Sequence, residues 1–252
     1  MLVLGKSKRF GFEFYYDSAD RFVGEQIAAD AYEPYESELF LSHLNEDSVL
    51  IDVGANIGYY TMLAASKIKS GKIYAFEPNR RNFHILQMNM ILNDIRNVEL
   101  FQMAVSDTTG TAQLYLSEDN FGDHQLYTST RSRFEEVKVS TLDELKCETP
   151  TFLVVKIDTQ GSDFKVLRGM AEIISKSRDL KLFTEFWPLG NSGAAVSGDD
   201  YFRFLMDTFD AVRFINEESK STDSANYGLI VQECSKHHGT NHVNLLCEIT
   251  HR

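Results

Sequence analysis

The feature that most narrows the fold is the run Val49-Leu50-Ile51-Asp52-Val53, which leads at once into Gly54-Ala55-Asn56-Ile57-Gly58 and a helical pattern over Tyr59–Lys67. A nearly continuous apolar run suits a strand covered on both faces, as in a parallel sheet. Glycine then permits a tight turn and a close approach of ligand to backbone. The same rhythm repeats downstream. Strands are expected over 72–76, 98–103, 152–157 and 180–186, with 211–214 and 243–249 closing the sheet, and helices over 80–92, 164–175 and 199–209. Alternation of this kind marks βαβ units. Residues 110–139 break the rhythm, and Thr111–Leu116 and Val137–Val139 read as antiparallel strands around a polar loop. Residues 1–45, rich in aromatic and acidic side chains, are expected to be an extension packed on a domain covering 46–252.

A glycine-rich turn after the first strand of an open α/β sheet is a nucleotide site. A dinucleotide fingerprint needs G-x-G-x-x-G and a P-loop ends in Gly-Lys-Ser/Thr. Here Asn56 stands where the second glycine would be, and no Gly-Lys-Ser/Thr triplet follows. The strand ends instead in the carboxylate of Asp52, which repels phosphate and suits a cation. S-adenosylmethionine carries an ammonium and a sulfonium. Asp52 could orient its amino group, with Gly54, Asn56 and Gly58 bordering the methionine chain. Glu77, at the end of the second strand, could accept both ribose hydroxyls. Asp52 alone could equally be a turn or capping residue.

The net charge of −12 argues against a nucleic-acid or anionic-membrane surface, because phosphates select Lys and Arg. The 252 residues suffice for a core without staples. Cys147, Cys234 and Cys247 are odd in number and form no Cys-x-x-Cys pair, so buried reduced thiols are expected. Residues 1–9 place apolar residues before basic ones, the reverse of a signal peptide, and no 18-residue apolar stretch follows. A cytoplasmic protein is expected. The sequence carries no signal of oligomeric state.

The ordered motifs resemble the FkbM-type class I methyltransferases. They are Asp52 to Gly58 (D-x-G-A-N-x-G), Ala75-Phe76-Glu77-Pro78, an Asn-rich helix from Asn89 to Asn93, and Thr141-Leu142-Asp143. Lys156-Ile157-Asp158 with Gly161, Val166-Leu167-Arg168-Gly169 and Glu185 follow. The resemblance implies a Rossmann-like α/β fold: a seven-stranded, mostly parallel sheet in the order 3-2-1-4-5-7-6, with helices on both faces. It also implies methyl transfer, usually to oxygen, on a small molecule or sugar. Gln160 stands where the family often has Glu, and Asp163 where Glu is frequent, so no metal or base role is carried to position 160.

Methyl transfer displaces a good leaving group, so positioning dominates, and an alcohol acceptor must also lose a proton. Candidates belong at the carboxyl ends of strands. Asp158 reads as acceptor-orienting residue, general base and cofactor contact, or as the cap of the next helix. Lys156 shares its face and could pair with Asp158 or Glu185, or sit in a structural ion pair. Asp158 and Glu185 form an acidic pair that a divalent cation would suit, although two carboxylates support a metal only weakly. His124 is a candidate base or a solvated loop histidine. Trp187 caps the core or stacks on a ring. Met103 and Ala104 are expected to flank adenine, while Asp107 accepts its amine or forms a turn. Tyr32, Glu33 and Tyr35 roof the cofactor or pack the extension. His237-His238 and His242 are not read as a metal site, and 190–200 reads as a flexible segment beside the site. The expected function is S-adenosylmethionine-dependent O-methylation, yielding S-adenosylhomocysteine. A non-catalytic S-adenosylmethionine-binding protein and a nicotinamide-dependent oxidoreductase are the alternatives.

Overall fold

A computed structural model of the protein describes residues 1–118, 120–127, 131–145, 147, 152–188, 197–236 and 242–250. The extension opens with a hairpin, β1 (Leu2–Lys6) and β2 (Glu13–Asp17), followed by α1 (Gly24–Ala28) and α2 (Pro34–Ser42). Then come β3 (Val49–Val53), α3 (Tyr59–Lys67), β4 (Ile73–Phe76), α4 (Arg80–Leu92) and β5 (Val98–Phe101). A small lateral sheet holds β6 (Ala104–Val105), β7 (Gly110–Tyr115) and β8 (Phe134–Ser140), and α5 (Leu142–Leu145) follows. The second half runs β9 (Phe152–Ile157), α6 (Asp163–Arg168), α7 (Ala171–Lys176), β10 (Asp179–Phe186), α8 (Gly198–Thr208) and β11 (Ala211–Asn216). It ends with β12 (Ser221–Ser224), α9 (Tyr227–Lys236) and β13 (Val243–Thr250).

The main sheet has the order β12-β11-β13-β10-β9-β3-β4-β5. Without β12 this is the expected 3-2-1-4-5-7-6, with β13 antiparallel to both its neighbours. The eighth strand is an addition to the expected seven: polar Ser221–Ser224 pairs antiparallel with β11 at the sheet edge. Its lack of apolar residues hid it, since an edge strand with little to bury shows no hydrophobic period.

Period-two alternation decides which side chains meet. Val49, Ile51 and Val53 enter one hydrophobic cluster, with Leu153, Val155 and Ile157 of β9 and the packed helices α6 and α7. Leu50, Val154 and Phe183 enter the other, shared with Phe12, Phe14, Ile27 and Phe40 of the extension and Leu63 of α3. The extension is thus continuous with one core. Asp52 and Lys156, direct neighbours in the β3–β9 register, lie on that same face.

Asn89 and Asn93 of α4 bind the extension by imitating a strand. Asn89 accepts from the N–H of Tyr15 (2.6 Å) and donates to its carbonyl (3.1 Å), and Asn93 does the same for Glu13 at 3.3 and 2.7 Å. The Asn89 amide also donates to the Ile57 carbonyl (2.8 Å), tying the extension to the glycine-rich loop. The expected single helix over 164–175 is two, α6 and α7, broken at Gly169-Met170. A Cβ on Gly169 would lie 2.0 Å from the Ser106 carbonyl oxygen, so the chain approaches β6 there too closely to stay in one smooth helix. Asp143 caps α7 by accepting from the N–H groups of Glu172 and Ile173, both at 3.0 Å. Cys147, Cys234 and Cys247 are free and buried, as expected. Among the described residues no helix is long and apolar enough to cross a membrane.

Candidate active site

The parallel strands end level with one another, and the turns after them meet over their carboxyl edge. The Gly54 and Ala55 N–H groups both donate to the Phe76 carbonyl (2.9 Å), and the Asp158 N–H donates to that of Val53 (2.9 Å). Gly54 has φ +83°, and a Cβ there would fall 1.9 Å from the Asp158 carbonyl oxygen. Only glycine lets these two turns touch. Above them lies a cavity of about 340 Å³, whose walls include Asp52, Gly54, Asn56, Glu77, Met103, Ala104, Lys156, Asp158, Glu185 and His124. Among the residues given a catalytic or methionine- and ribose-binding role, only Gly58 is off this wall, and its φ of +95° instead starts α3 directly below the loop.

Asp52 accepts from the Thr61 hydroxyl at 2.6 Å. Burial pushes its carboxyl up to about 6, against the Thr61 bond and Lys156, which lower it. Glu77 accepts the Asn56 N–H (2.9 Å) on one oxygen and the Asn79 N–H (2.8 Å) on the other, closing the loop onto β4. One lone pair of each oxygen remains for a ligand hydroxyl. Burial raises Glu77 to about 8 despite those two donors.

At the other end of the cavity, Gln160, itself at φ +52°, donates from one amide nitrogen to Asp158 (2.7 Å) and Glu185 (3.2 Å). A glutamate there would add a third carboxylate, whereas the amide offers two N–H donors and relieves the repulsion of the pair. Asp158 does not cap the next helix, because the cap of α6 is Ser162. Glu185 is raised well above the ordinary range by burial, and then by Asp158 and Asp163.

Lys156 pairs with neither Asp158 nor Glu185. Its Nζ, 1% exposed, lies 3.1 Å from Glu36 of α2, which is wholly buried, and 4.8 Å from the ring centre of Tyr60. The two charged atoms are close but outside hydrogen-bond geometry, so Lys156 Nζ and Glu36 Oε1 both lack a hydrogen-bond partner. Burial pulls the ammonium down, but Glu36, Glu33, Asp158 and Glu185 together hold it well above its usual value. Lys156 therefore stays charged and is no proton acceptor.

The extension contributes more than a roof. Glu33, at φ +40° before α2, accepts from the Tyr60 hydroxyl (2.6 Å) and from Asn244 of β13 (3.3 Å). Asn244 also donates to Glu36. Burial and Glu36 push Glu33 up to about 8. Tyr32 and Glu33 border the cavity, whereas Tyr35 turns away and donates its N–H to Glu217 (2.9 Å). Glu36 and His242 are site residues that sequence reasoning missed. Their signal is purely tertiary, since Glu36 lies 208 residues from its partner Asn244.

Three further expectations change or narrow. His124 accepts the Ser117 N–H on Nδ1 (3.0 Å), and burial lowers it to about 4, so it is neutral with its proton on Nε2, a donor rather than a base. Asp107 lies in the bend between β6 and β7, as the turn reading has it, faces Arg168 (3.3 Å) and does not line the cavity. Trp187 does not enter the core but packs against His242, ring centres 5.2 Å apart and planes tilted by 30°. Residues 189–196 and His237-His238 lie outside the described residues. Among the described residues no group of three or more His, Cys, Asp or Glu could hold a metal ion.

The family model for the FkbM methyltransferase domain matches residues 52–214, more than half of the chain. The chain belongs to that family. A hexuronic acid methyltransferase, AglP, of Haloferax volcanii is 30% identical over 137 residues, covering 54% of this chain and 55% of that protein. Methyltransferase 1 of Beauveria bassiana is 25% identical over 147 residues, 50% of this chain and 59% of that one. The chain thus spans little more than half the length of the curated relatives it matches. The fold is also that of the M. jannaschii tRNA m1G37 methyltransferase, with a TM-score of 0.50 at 11% identity, covering 100% of this chain and 57% of that one.

Proposed function

We propose that this FkbM-family chain is an S-adenosylmethionine-dependent methyltransferase that methylates a hydroxyl of a small-molecule or carbohydrate acceptor. The observation that carries the reading is the charge of the cavity: Asp52, Glu77, Asp158, Glu185 and Glu33 face it, with Lys156 as the one buried ammonium among its described walls. Carboxylates removed from water favour a cationic ligand, and the orphaned, buried Asn56 Oδ1 in the glycine-rich loop is a ready acceptor for an ammonium. Asp52 and Asn56 would hold the methionine amino end, Glu77 the ribose, and Met103 and Ala104 the adenine. The bound donor supplies a methyl group activated by its sulfonium. Asp158, held by Gln160, orients the acceptor hydroxyl, while Lys156 stays protonated behind it and polarises the same site. The hexuronic acid methyltransferase among the relatives supports a carbohydrate acceptor. No metal is invoked.

Isothermal titration with S-adenosylmethionine tests the reading. Wild-type protein should bind it, and Asp52→Ala should bind at least tenfold more weakly. Absence of wild-type binding, or equal binding by the variant, would overturn it. Reduced nicotinamide dinucleotide should give no fluorescence change, because the loop lacks the glycine that admits a pyrophosphate.

A further inference from the structure

Three nitrogens face the Glu185 carboxyl. Gln160 (3.2 Å) and the Trp187 indole (3.4 Å) donate to Oε2, and His242 Nε2 lies 3.1 Å from Oε1. Amide and indole nitrogens can only donate, so any proton on this carboxyl can sit only on the oxygen that faces the imidazole. Burial and Asp158 raise this carboxyl, but two donors on one oxygen and the imidazole beside the other favour its ionised form, and in that form Glu185 fixes the proton of the imidazole on Nε2. His242 then has a bare lone pair on Nδ1. That atom is buried and has no hydrogen-bond partner, in a ring that borders the cavity beside Asp158 and Glu185. A carboxylate behind an imidazole whose far nitrogen is bare is the arrangement of a general base.

We propose that His242, oriented by Glu185, is the base that takes the proton of the acceptor hydroxyl. The inference rests on the methyl-transfer reading above. His242 Nδ1 accepts the hydroxyl proton as the oxygen bonds the methyl carbon and the S–C electron pair returns to sulfur. Glu185 stabilises the imidazolium so formed, and the proton leaves to solvent with product release. Trp187, packed against the ring at a 30° tilt, limits its rotation. The groups that act on His242 are Glu185 of β10, Asp158 and Lys156 at the end of β9, and Asp123 of the 120–127 loop. Burial lowers its pKa, Asp158 and Asp123 oppose this and Lys156 reinforces it, which leaves the ring neutral and able to accept at pH 7.

Two measurements test the assignment, one of them independent of the acceptor. Long-range 15N–1H spectra of the full chain with S-adenosylmethionine at pH 7.5, with His242→Gln to assign the signals, should show His242 as the Nε2–H tautomer. Glu185→Gln should shift or mix it. An Nδ1–H tautomer or an imidazolium at that pH overturns the proposal. In the second arm, S-adenosylhomocysteine formation is followed with glucuronic acid and methyl glucoside as acceptors. His242→Gln keeps an N–H for Glu185 but has no base, so turnover should fall by about 10²–10⁴-fold with the Kd for S-adenosylmethionine changed less than about threefold. Turnover within threefold of wild type overturns the base role. Failure of the wild type to bind S-adenosylmethionine would instead overturn the methyl-transfer reading, and the tautomer would still decide the dyad.

Discussion

At the scale of single residues, the site is built where backbone comes closest to backbone. Gly54 is the sharpest case, with its left-handed φ and with the Asp158 carbonyl oxygen where a Cβ would go. An alanine pays for the left-handed conformation, about 1–2 kcal/mol, and must also push apart two turns that carry Asp52 and Asp158. We expect Gly54→Ala to cost roughly 2–4 kcal/mol. That is a fall in Tm of about 5–15 °C for a chain of this size, with loss of measurable S-adenosylmethionine binding. A calorimetric melt checks the first and titration the second, and a variant that melts within 2 °C of wild type would contradict the close approach. Gln160 works on the same scale by a different means. Its amide joins two carboxylates that would otherwise repel, so the departure from the family pattern has a local electrostatic purpose.

At the scale of elements, α2 and β9 are joined by one buried charge pair. Removing one partner of such a pair leaves an uncompensated charge and costs about 3–5 kcal/mol, whereas replacing both with apolar residues is often neutral. Glu36→Leu and Lys156→Met should therefore each destabilise the protein by about 3 kcal/mol, and the two combined should recover most of the loss without restoring turnover. Urea unfolding of the two singles and the double closes the cycle, and additive losses would show that the pair is not coupled. This junction also marks how far the sequence could be read. Val49–Val53, the glycine-rich turn and Glu77 are legible because a strand, its turn and the end of the next strand lie within 30 residues, and their spacing encodes one physical task. Glu36 and His242 are not legible, because they reach the site from α2 and from the residue before β13, which only the closed sheet brings together. For the same reason Lys156 showed its face but not its partner: alternation along β9 predicts a side, and only packing decides what stands on it.

At the scale of the whole molecule, the protein conceals several carboxyl groups inside a chain that already carries a net charge of −12. Burial raises Glu33 and Glu77 to about 8, Asp163 to about 7 and Asp52 to about 6. Each folded-state value lies above that of the unfolded chain, near 4. Between about pH 5 and 8 the folded state therefore holds more protons than the unfolded one, and linkage makes stability fall as pH rises through that window. This is opposite to the behaviour of carboxylates held ionised by surface ion pairs, whose contribution is lost toward acid. Without ligand, the Tm should accordingly decline from pH 5.5 to pH 8, and Glu33→Gln and Glu77→Gln should each flatten the slope. A cation bound among these groups favours their ionised forms. The rise in Tm on adding S-adenosylmethionine should then be larger at pH 8 than at pH 6, with proton release visible as a binding enthalpy that changes with the ionisation enthalpy of the buffer. Equal ligand-induced shifts at the two pH values, with no buffer dependence, would mean that the acidic cavity is not what holds the methyl donor.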